Sequence, residues 1–170
     1  MESGLKKFVV ELLDGHRLMT LATNRADGWP QATIVGYVNE GLTLYCLVSR
    51  LSQKYANISR DPRVSAAIGG RFSDPMAIRG LSLAGRATLV QDRKDYDRVA
   101  GLVMQRFPEF GRLGGPDPAA AVMLRIKPEV ISALDYSKGF GHADQVTVSD
   151  DDLKSKISTP PSDWLGRSQR

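Results

Sequence analysis

The stretch Leu81-Ser82-Leu83-Ala84-Gly85-Arg86-Ala87-Thr88-Leu89-Val90 sets Leu81, Leu83, Gly85, Ala87 and Leu89 against Ser82, Ala84, Arg86 and Thr88. A period of two sends successive side chains to opposite faces of a strand, so these ten residues predict one long strand. Upstream, Val64 to Ile68 reads as another strand, with a loop through Gly69-Gly70 and Asp74-Pro75 between the two. Downstream, Asp92 and Asp95 open a helix carrying Tyr96, Val99, Val103 and Phe107 at helical spacing, and Pro108 ends it. That helix is expected to cover an open end of the sheet. The Gly- and Pro-rich segment from Glu109 to Ala119 reads as a connecting loop, because strand signals resume at once. Val122, Leu124 and Ile126 alternate, Pro128 punctuates, and Val130 to Tyr136 gives a further strand.

Toward the N-terminus, Leu5, Phe8, Val9, Leu12 and Leu13 recur at helical spacing after Ser3, and Gly15 stands where a left-handed cap would fall. Arg17 to Thr23 reads as a strand, Asp27-Gly28 as a turn, and Trp29 to Val38 as a second extended run. Asn39-Glu40-Gly41 turns the chain into a third strand, Leu42 to Val48, so the three form a meander. Ser52 to Arg60 predicts a short helix stopped by Asp61-Pro62. Six or seven short strands with a few helices predict a mainly β protein closed as an antiparallel barrel. A single domain over 1–149 and a polar C-terminal tail over 150–170 follow from the composition, with Trp164 and Leu165 marking a point where the tail docks.

A hydrophobic fraction of 42% and a charged fraction of 25% sit near globular averages and exclude disordered and fibrous classes. No run approaches the roughly 20 apolar residues of a membrane span, and Met1-Glu2-Ser3-Gly4 does not open a signal peptide, so no membrane partner and a cytoplasmic location are expected. Lysines and arginines are interleaved with acids, so the formal charge of +4 does not predict a nucleic-acid partner. The single cysteine, Cys46, fits a reducing compartment, and with only two histidines no metal site is expected.

Ser49-Arg50-Leu51-Ser52-Gln53-Lys54 follows a strand and opens a helix. A helix N-terminus presents unpaired N–H groups and the positive end of the helix dipole, which suits an anion. Ser52 adds a hydroxyl, while Lys54 and Arg50 add positive charge, together a phosphate cradle without glycines. On spacing alone Ser52 and Lys54 read sooner as an ordinary cap and a solvated charge. A second cluster, Asp135-Tyr136-Ser137-Lys138-Gly139-Phe140-Gly141-His142, gathers polar and aromatic groups in a Gly-punctuated loop, which reads as a functional loop positioned by a rigid barrel or as a turn whose Tyr136 and Phe140 simply close the barrel end. His16, at a helix end, reads as structural.

In their order, Met19 to Thr23, Asp27-Gly28-Trp29-Pro30, Leu42 to Val48, Ser52-Gln53-Lys54, Asp61-Pro62-Arg63-Val64 and Leu81 to Ala87 resemble the FMN-binding split barrels related to pyridoxamine 5'-phosphate oxidase. The resemblance runs from about Leu18 to Val148 and implies a split β-barrel that holds FMN. It implies that Ser52 and Lys54 grip the phosphate within a cofactor-binding stretch that includes Arg50 and Gln53, that Thr33, Ile34, Val35 and Gly36 lie along the isoalloxazine ring, and that Leu47 and Val48 lie near the ribityl chain. It also implies a homodimer with flavin at the interface, where Tyr136, Lys138 and His142 reach the neighbouring subunit's flavin or the substrate. The vitamin B6 oxidases carry an arginine where Thr33 stands and a C-terminal Arg-x-His stretch, both absent here. The expectation is therefore an FMN-dependent oxidoreductase of another small-molecule redox substrate. The alternatives are a flavin carrier or sensor without turnover, and a haem- or deazaflavin-binding relative, for which His142 is the notable feature.

Overall fold

The alternating stretch becomes β6 (Arg79–Leu89), the middle strand of the sheet, in a computed structural model that describes residues 1–70, 72–112 and 119–154. On one side of it lie β5 (Arg63–Gly69), β1 (Leu18–Asn24) and β2 (Pro30–Gly36); on the other lie β7 (Ala121–Asp135), β4 (Thr43–Ser49) and β3 (Val38–Glu40). Every pairing is antiparallel, and β8 (Ala143–Thr147), a strand the sequence reading did not anticipate, adds to β7 off this path.

β2 and β3 stand at opposite ends of the path, yet only Tyr37 separates them in sequence. The sheet must therefore curl until its two ends meet, which makes the split barrel. Tyr37 is buried at that corner, and its hydroxyl donates to the Leu13 carbonyl at 2.7 Å. The run expected over 29–38 is thus two strands with different partners, and the expected meander is corrected: β4 pairs with β7, not with β2. A chain that passes from one end of a curled sheet to the other has to leave its first ladder at the corner.

The two strands expected on either side of Pro128 are one, β7. The register of β6 against β7 shifts between Ala84 and Gly85, leaving Pro128 opposite Gly85. A bulge takes a residue out of the ladder, so a proline without an N–H is tolerated there. Gly85 allows the approach: a Cβ on it would overlap the Lys127 carbonyl oxygen and stand 2.8 Å from Pro128 Cα.

The core fills the curl with Leu81, Leu83, Val122, Leu124 and Ile126 of the central strands, together with Val9, Val10 and Leu13 of α1 (Ser3–Gly15). Gly15 is helical rather than a left-handed cap, and its role passes to Arg106 of α3 (Arg93–Arg106), whose guanidinium donates to the Leu13 and Asp14 carbonyls at 2.9 and 3.0 Å and to that of His16. α3 is capped by the Asp92 carboxylate on the Asp95 N–H at 2.9 Å, and Val99 and Val103 bury a second cluster with Val38, Tyr45 and Met123. The segment expected to be a loop from 109 to 119 begins with a short helix, α4 (Glu109–Arg112). The tail begins with α5 (Asp150–Lys154), whose buried Asp152 accepts from the Met1 ammonium at 3.0 Å while the Lys6 ammonium bonds its carbonyl; Trp164 and Leu165 lie outside the described residues. No helix among the described residues is long and apolar enough to cross a membrane.

Candidate functional site

The strand β4 ends at Ser49, and α2 (Gln53–Arg60) begins four residues later. Ser52 is its N-cap: the hydroxyl accepts from the Tyr55 N–H at 3.3 Å and donates to the Ser49 carbonyl at 2.7 Å. Both ends of that hydroxyl are engaged, so Ser52 shapes the helix start rather than offering a spare donor. The N–H groups of Gln53 and Lys54 fall in the first turn, where no intrahelical acceptor exists.

Lys54 is half-buried, and its ammonium has no hydrogen-bond or ion-pair partner among the described residues. Burial pushes the Cys46 thiol up to about 12 while the Lys54 charge acts the other way, so that charge lies within electrostatic reach of the barrel interior. An unpaired cation carried by the same helical turn as two open N–H groups fits an anionic group. Arg50 is fixed through its backbone, whose N–H donates to the Ala120 carbonyl at 2.9 Å. Its side chain lines a cleft of about 470 Å³ floored by Leu89, Val122 and Met123, with Tyr96 and Arg93 beside it.

Gln53 turns its side chain down the helix, where Nε2 donates to Asn57 Oδ1 at 2.9 Å. Asn57 Nδ2 donates in turn to Thr23 Oγ1 of β1 at 2.9 Å and to Gln31 Oε1 of β2 at 3.2 Å. This chain of bonds brings the start of α2 against β2, the strand expected along a ring. β2 is an end strand of the sheet path, paired with β1 alone, and the free edge of such a strand carries unpaired N–H and C=O groups. Thr33 Oγ1 is buried with no partner among the described residues, an acceptor and donor left open on that strand.

The four expected β2 residues divide between the two faces of the strand. Ile34 is 73% exposed, whereas Thr33 and Val35 point the other way and are half-buried. Gly36 meets the Phe107 ring, to which a Cβ would stand 3.0 Å from Cζ, so the small residue there admits an aromatic side chain of the protein itself. On β4, Val48 faces the core and Leu47 packs against the second cluster.

Tyr136, Lys138 and His142 gather at the far end of β1 and β6 from α2, since Asp135 pairs with Arg79 while Thr23 pairs with Val64 and Val64 with Gly85. Lys138 Nζ donates to Asp144 Oδ2 at 3.0 Å, and His142 Nε2 lies 3.3 Å from the same oxygen; these two partners, Lys138 first, hold the Asp144 carboxyl below its usual range. Gly139 and Gly141, at φ 138° and 78°, turn this loop so that Phe140 is 83% exposed. The structure therefore joins the α2 residues with β2 and leaves the 136–142 cluster apart within one chain. His16 is structural, its Nδ1 lying 2.8 Å from the Leu12 carbonyl. Asn57, Thr23 and Gln31 escaped the sequence reading. Their one signal is an amide, Asn57, beside Ile58 on the buried side of a short helix.

The sequence model of the pyridoxamine 5'-phosphate oxidase family matches residues 5–135. General stress protein 26 of Bacillus subtilis is 26% identical over 136 residues, which cover 78% of this chain and 90% of that protein. Among solved structures, a conserved hypothetical protein of Mycobacterium tuberculosis is similar at a TM-score of 0.64 and 27% identity, over 88% of this chain and 92% of the other. A heme binding protein of Mycobacterium smegmatis gives a TM-score of 0.74 at 21% identity, over 86% of this chain and 59% of that longer one. The heme storage protein HutZ of Vibrio cholerae gives 0.62 at 20% identity, over 75% of this chain and 89% of the other. At those identities the two haem proteins share the fold with this chain.

Proposed function

This chain belongs to the pyridoxamine 5'-phosphate oxidase family, and from that premise we propose that it binds FMN and serves as a flavin-dependent oxidoreductase. The observation that carries the reading is half-buried Lys54, whose ammonium is unpaired among the described residues, in the same first turn of α2 that leaves the N–H groups of Gln53 and Lys54 open. When bound, the flavin supplies the electron-transfer chemistry, and the protein supplies binding and orientation. The α2 N-terminus and Lys54 hold the phosphate by charge. Thr33 Oγ1 and the free edge of β2 offer hydrogen bonds to the polar rim of a ring. Ser52 keeps the first turn of α2 in shape, and Arg50, at the cleft beside it, adds long-range attraction for an anion.

Lys54→Ala is expected to weaken FMN at least about tenfold and to leave riboflavin nearly unchanged, because a charge-assisted hydrogen bond contributes roughly 1.5–3 kcal/mol. Fluorescence titration of both ligands reads this, and equal losses overturn the role of Lys54. A haem spectrum in place of a flavin spectrum, in protein taken from its own host, overturns the cofactor.

The substrate differs from that of the vitamin B6 oxidases in this reading. Thr33 offers a neutral hydroxyl, which does not hold a phosphorylated substrate as a forked guanidinium does. Reduction of the bound flavin by NADPH, followed by absorbance, separates an oxidoreductase from a carrier. The single buried cysteine accords with action in the reducing cytoplasm.

The functional unit in this reading is a homodimer. Two rows of residues cross the outer face of the sheet: Ile34, Thr20, Ala67, Ser82, Ser132, Gln145, and Ala32, Ala22, Ser65, Ala84, Val130, Thr147. None is charged, most are exposed, and six strands at about 4.8 Å carry the two rows across about 24 Å of the outer face. A surface of that kind suits a second copy of itself, with well over about 1,000 Å² buried in total. Sedimentation at micromolar concentration is expected to give a dimer, and Ser82→Glu, which puts a charge in the middle of the face, a monomer. A wild-type monomer that still binds FMN excludes the assembly.

A further inference from the structure

We propose that Asn57 is a positioning residue that sets the distance between the phosphate-holding start of α2 and the strand β2, an inference that rests on the flavin-nucleotide reading. Asn57 is 2% exposed, and so is Thr23, to which it donates. Both protons of its amide are used, on Thr23 and Gln31, and its oxygen accepts from Gln53. Its backbone carbonyl accepts from the Asp61 N–H at 2.8 Å and closes the far end of the same helix.

Stability alone does not call for an amide at this position. The neighbouring Ile58 shows that the face packs well with hydrocarbon, and a buried amide is neutral at best unless every polar atom is matched. What the amide adds is direction. Its bonds run from Gln53, the residue before Lys54, across about one helical turn, ~5.4 Å. They end on Gln31, two residues before Thr33 and so about 6.7 Å along the strand. A nucleotide gripped at its phosphate and at its ring gains from both grips only if the two stand at the length of the chain between them. Hydrogen bonds weaken steeply with an error of about 1 Å, so a fixed spacer raises the affinity for a ligand of that length.

Titration of FMN and riboflavin by flavin fluorescence tests this on the wild type, Asn57→Leu, Lys54→Ala and the double variant. Asn57→Leu is expected to weaken FMN about tenfold and riboflavin less than about threefold, one decade being ~1.4 kcal/mol. In the Lys54→Ala background the same change should add less than about threefold, because the two act through one grip. Gln31→Ala cuts the chain of bonds at a half-buried end, leaves the core intact, and should reproduce the pattern at smaller size. Equal losses for the two ligands, or full additivity with Lys54→Ala, make Asn57 a packing residue and overturn the proposal. Wild-type protein that binds FMN no better than riboflavin overturns the flavin-nucleotide reading itself, and that result is visible before any variant is made.

Discussion

Gly85→Ala is expected to cost about 3 kcal/mol or more, a large share of the roughly 5–15 kcal/mol that holds a typical domain folded. The added methyl would overlap the Lys127 carbonyl oxygen and crowd Pro128 Cα, both parts of the backbone and unable to swing aside as a side chain does. Relief requires β6 and β7 to part at the bulge, and those are the central strands of the sheet. Gly101→Ala is the natural comparison. Gly101 is exposed in the middle of α3 with nothing within 4 Å of a Cβ, so the same substitution there should stabilise by about 0.5–1 kcal/mol. Urea unfolding of the two variants beside the wild type reads both signs. A Gly85→Ala protein within about 1 kcal/mol of wild type shows that the strands are not held this close.

Arg106→Met should be as severe, at about 3–5 kcal/mol, the range for removing one partner of a buried charged network. Arg106 is 2% exposed, and besides the last carbonyls of α1 it reaches Asn39 Oδ1 at 3.3 Å and lies 5.3 Å from the centre of the Tyr37 ring. Burial lowers its pKa, with Tyr37 and Asp14 acting in the opposite direction, and a guanidinium stays charged throughout. The carbonyls at the end of α1 carry the negative end of the helix dipole and have no partner within the helix, so a buried cation there replaces a glycine cap. Methionine fills most of the volume but takes the guanidinium away from all three oxygens, leaving the Leu13 carbonyl with the Tyr37 hydroxyl alone. Arg106→Lys should recover only part of the loss, since an ammonium does not fork across several carbonyls as the guanidinium does. Denaturant unfolding gives the magnitude, and hydrogen exchange should locate the added opening in α1. A loss below about 1 kcal/mol would mean that α1 is closed by other groups.

The candidate site was legible in part. Ser52 to Lys54 stood out because a strand running into a helix leaves open N–H groups at a known place, and the serine is indeed the cap. That this helix start sits against β2 came from the family resemblance, and the joint that makes it so, Asn57 with Thr23 and Gln31, has no local signature. Three side chains from three elements meet there, and a hydrogen bond between residues 34 positions apart leaves no periodicity to read. For the loop at 136–142 the sequence put Tyr136, Lys138 and His142 together, while the bond of both Lys138 and His142 to Asp144 depends on β8 returning along β7.

What the sequence by itself determined is which face of each element is buried. The two-residue period of 81–90, the apolar stripe of the first helix and the Asp92 cap of α3 all carry over, because side-chain direction depends on local backbone geometry alone. Only the tertiary structure decided which strand pairs with which, where the barrel turns its corner, and who closes each helix. Pro128 looked like a break because its missing N–H is a local fact, but Gly85, 43 residues away, supplies the bulge that accommodates it. Gly15 looked like a cap because glycine is the usual one, but Arg106 arrives from 93 residues beyond Leu13 and makes it unnecessary. Both outcomes turn on contacts whose partners are distant in the chain, so their energies appear only once the sheet has curled and brought its ends together.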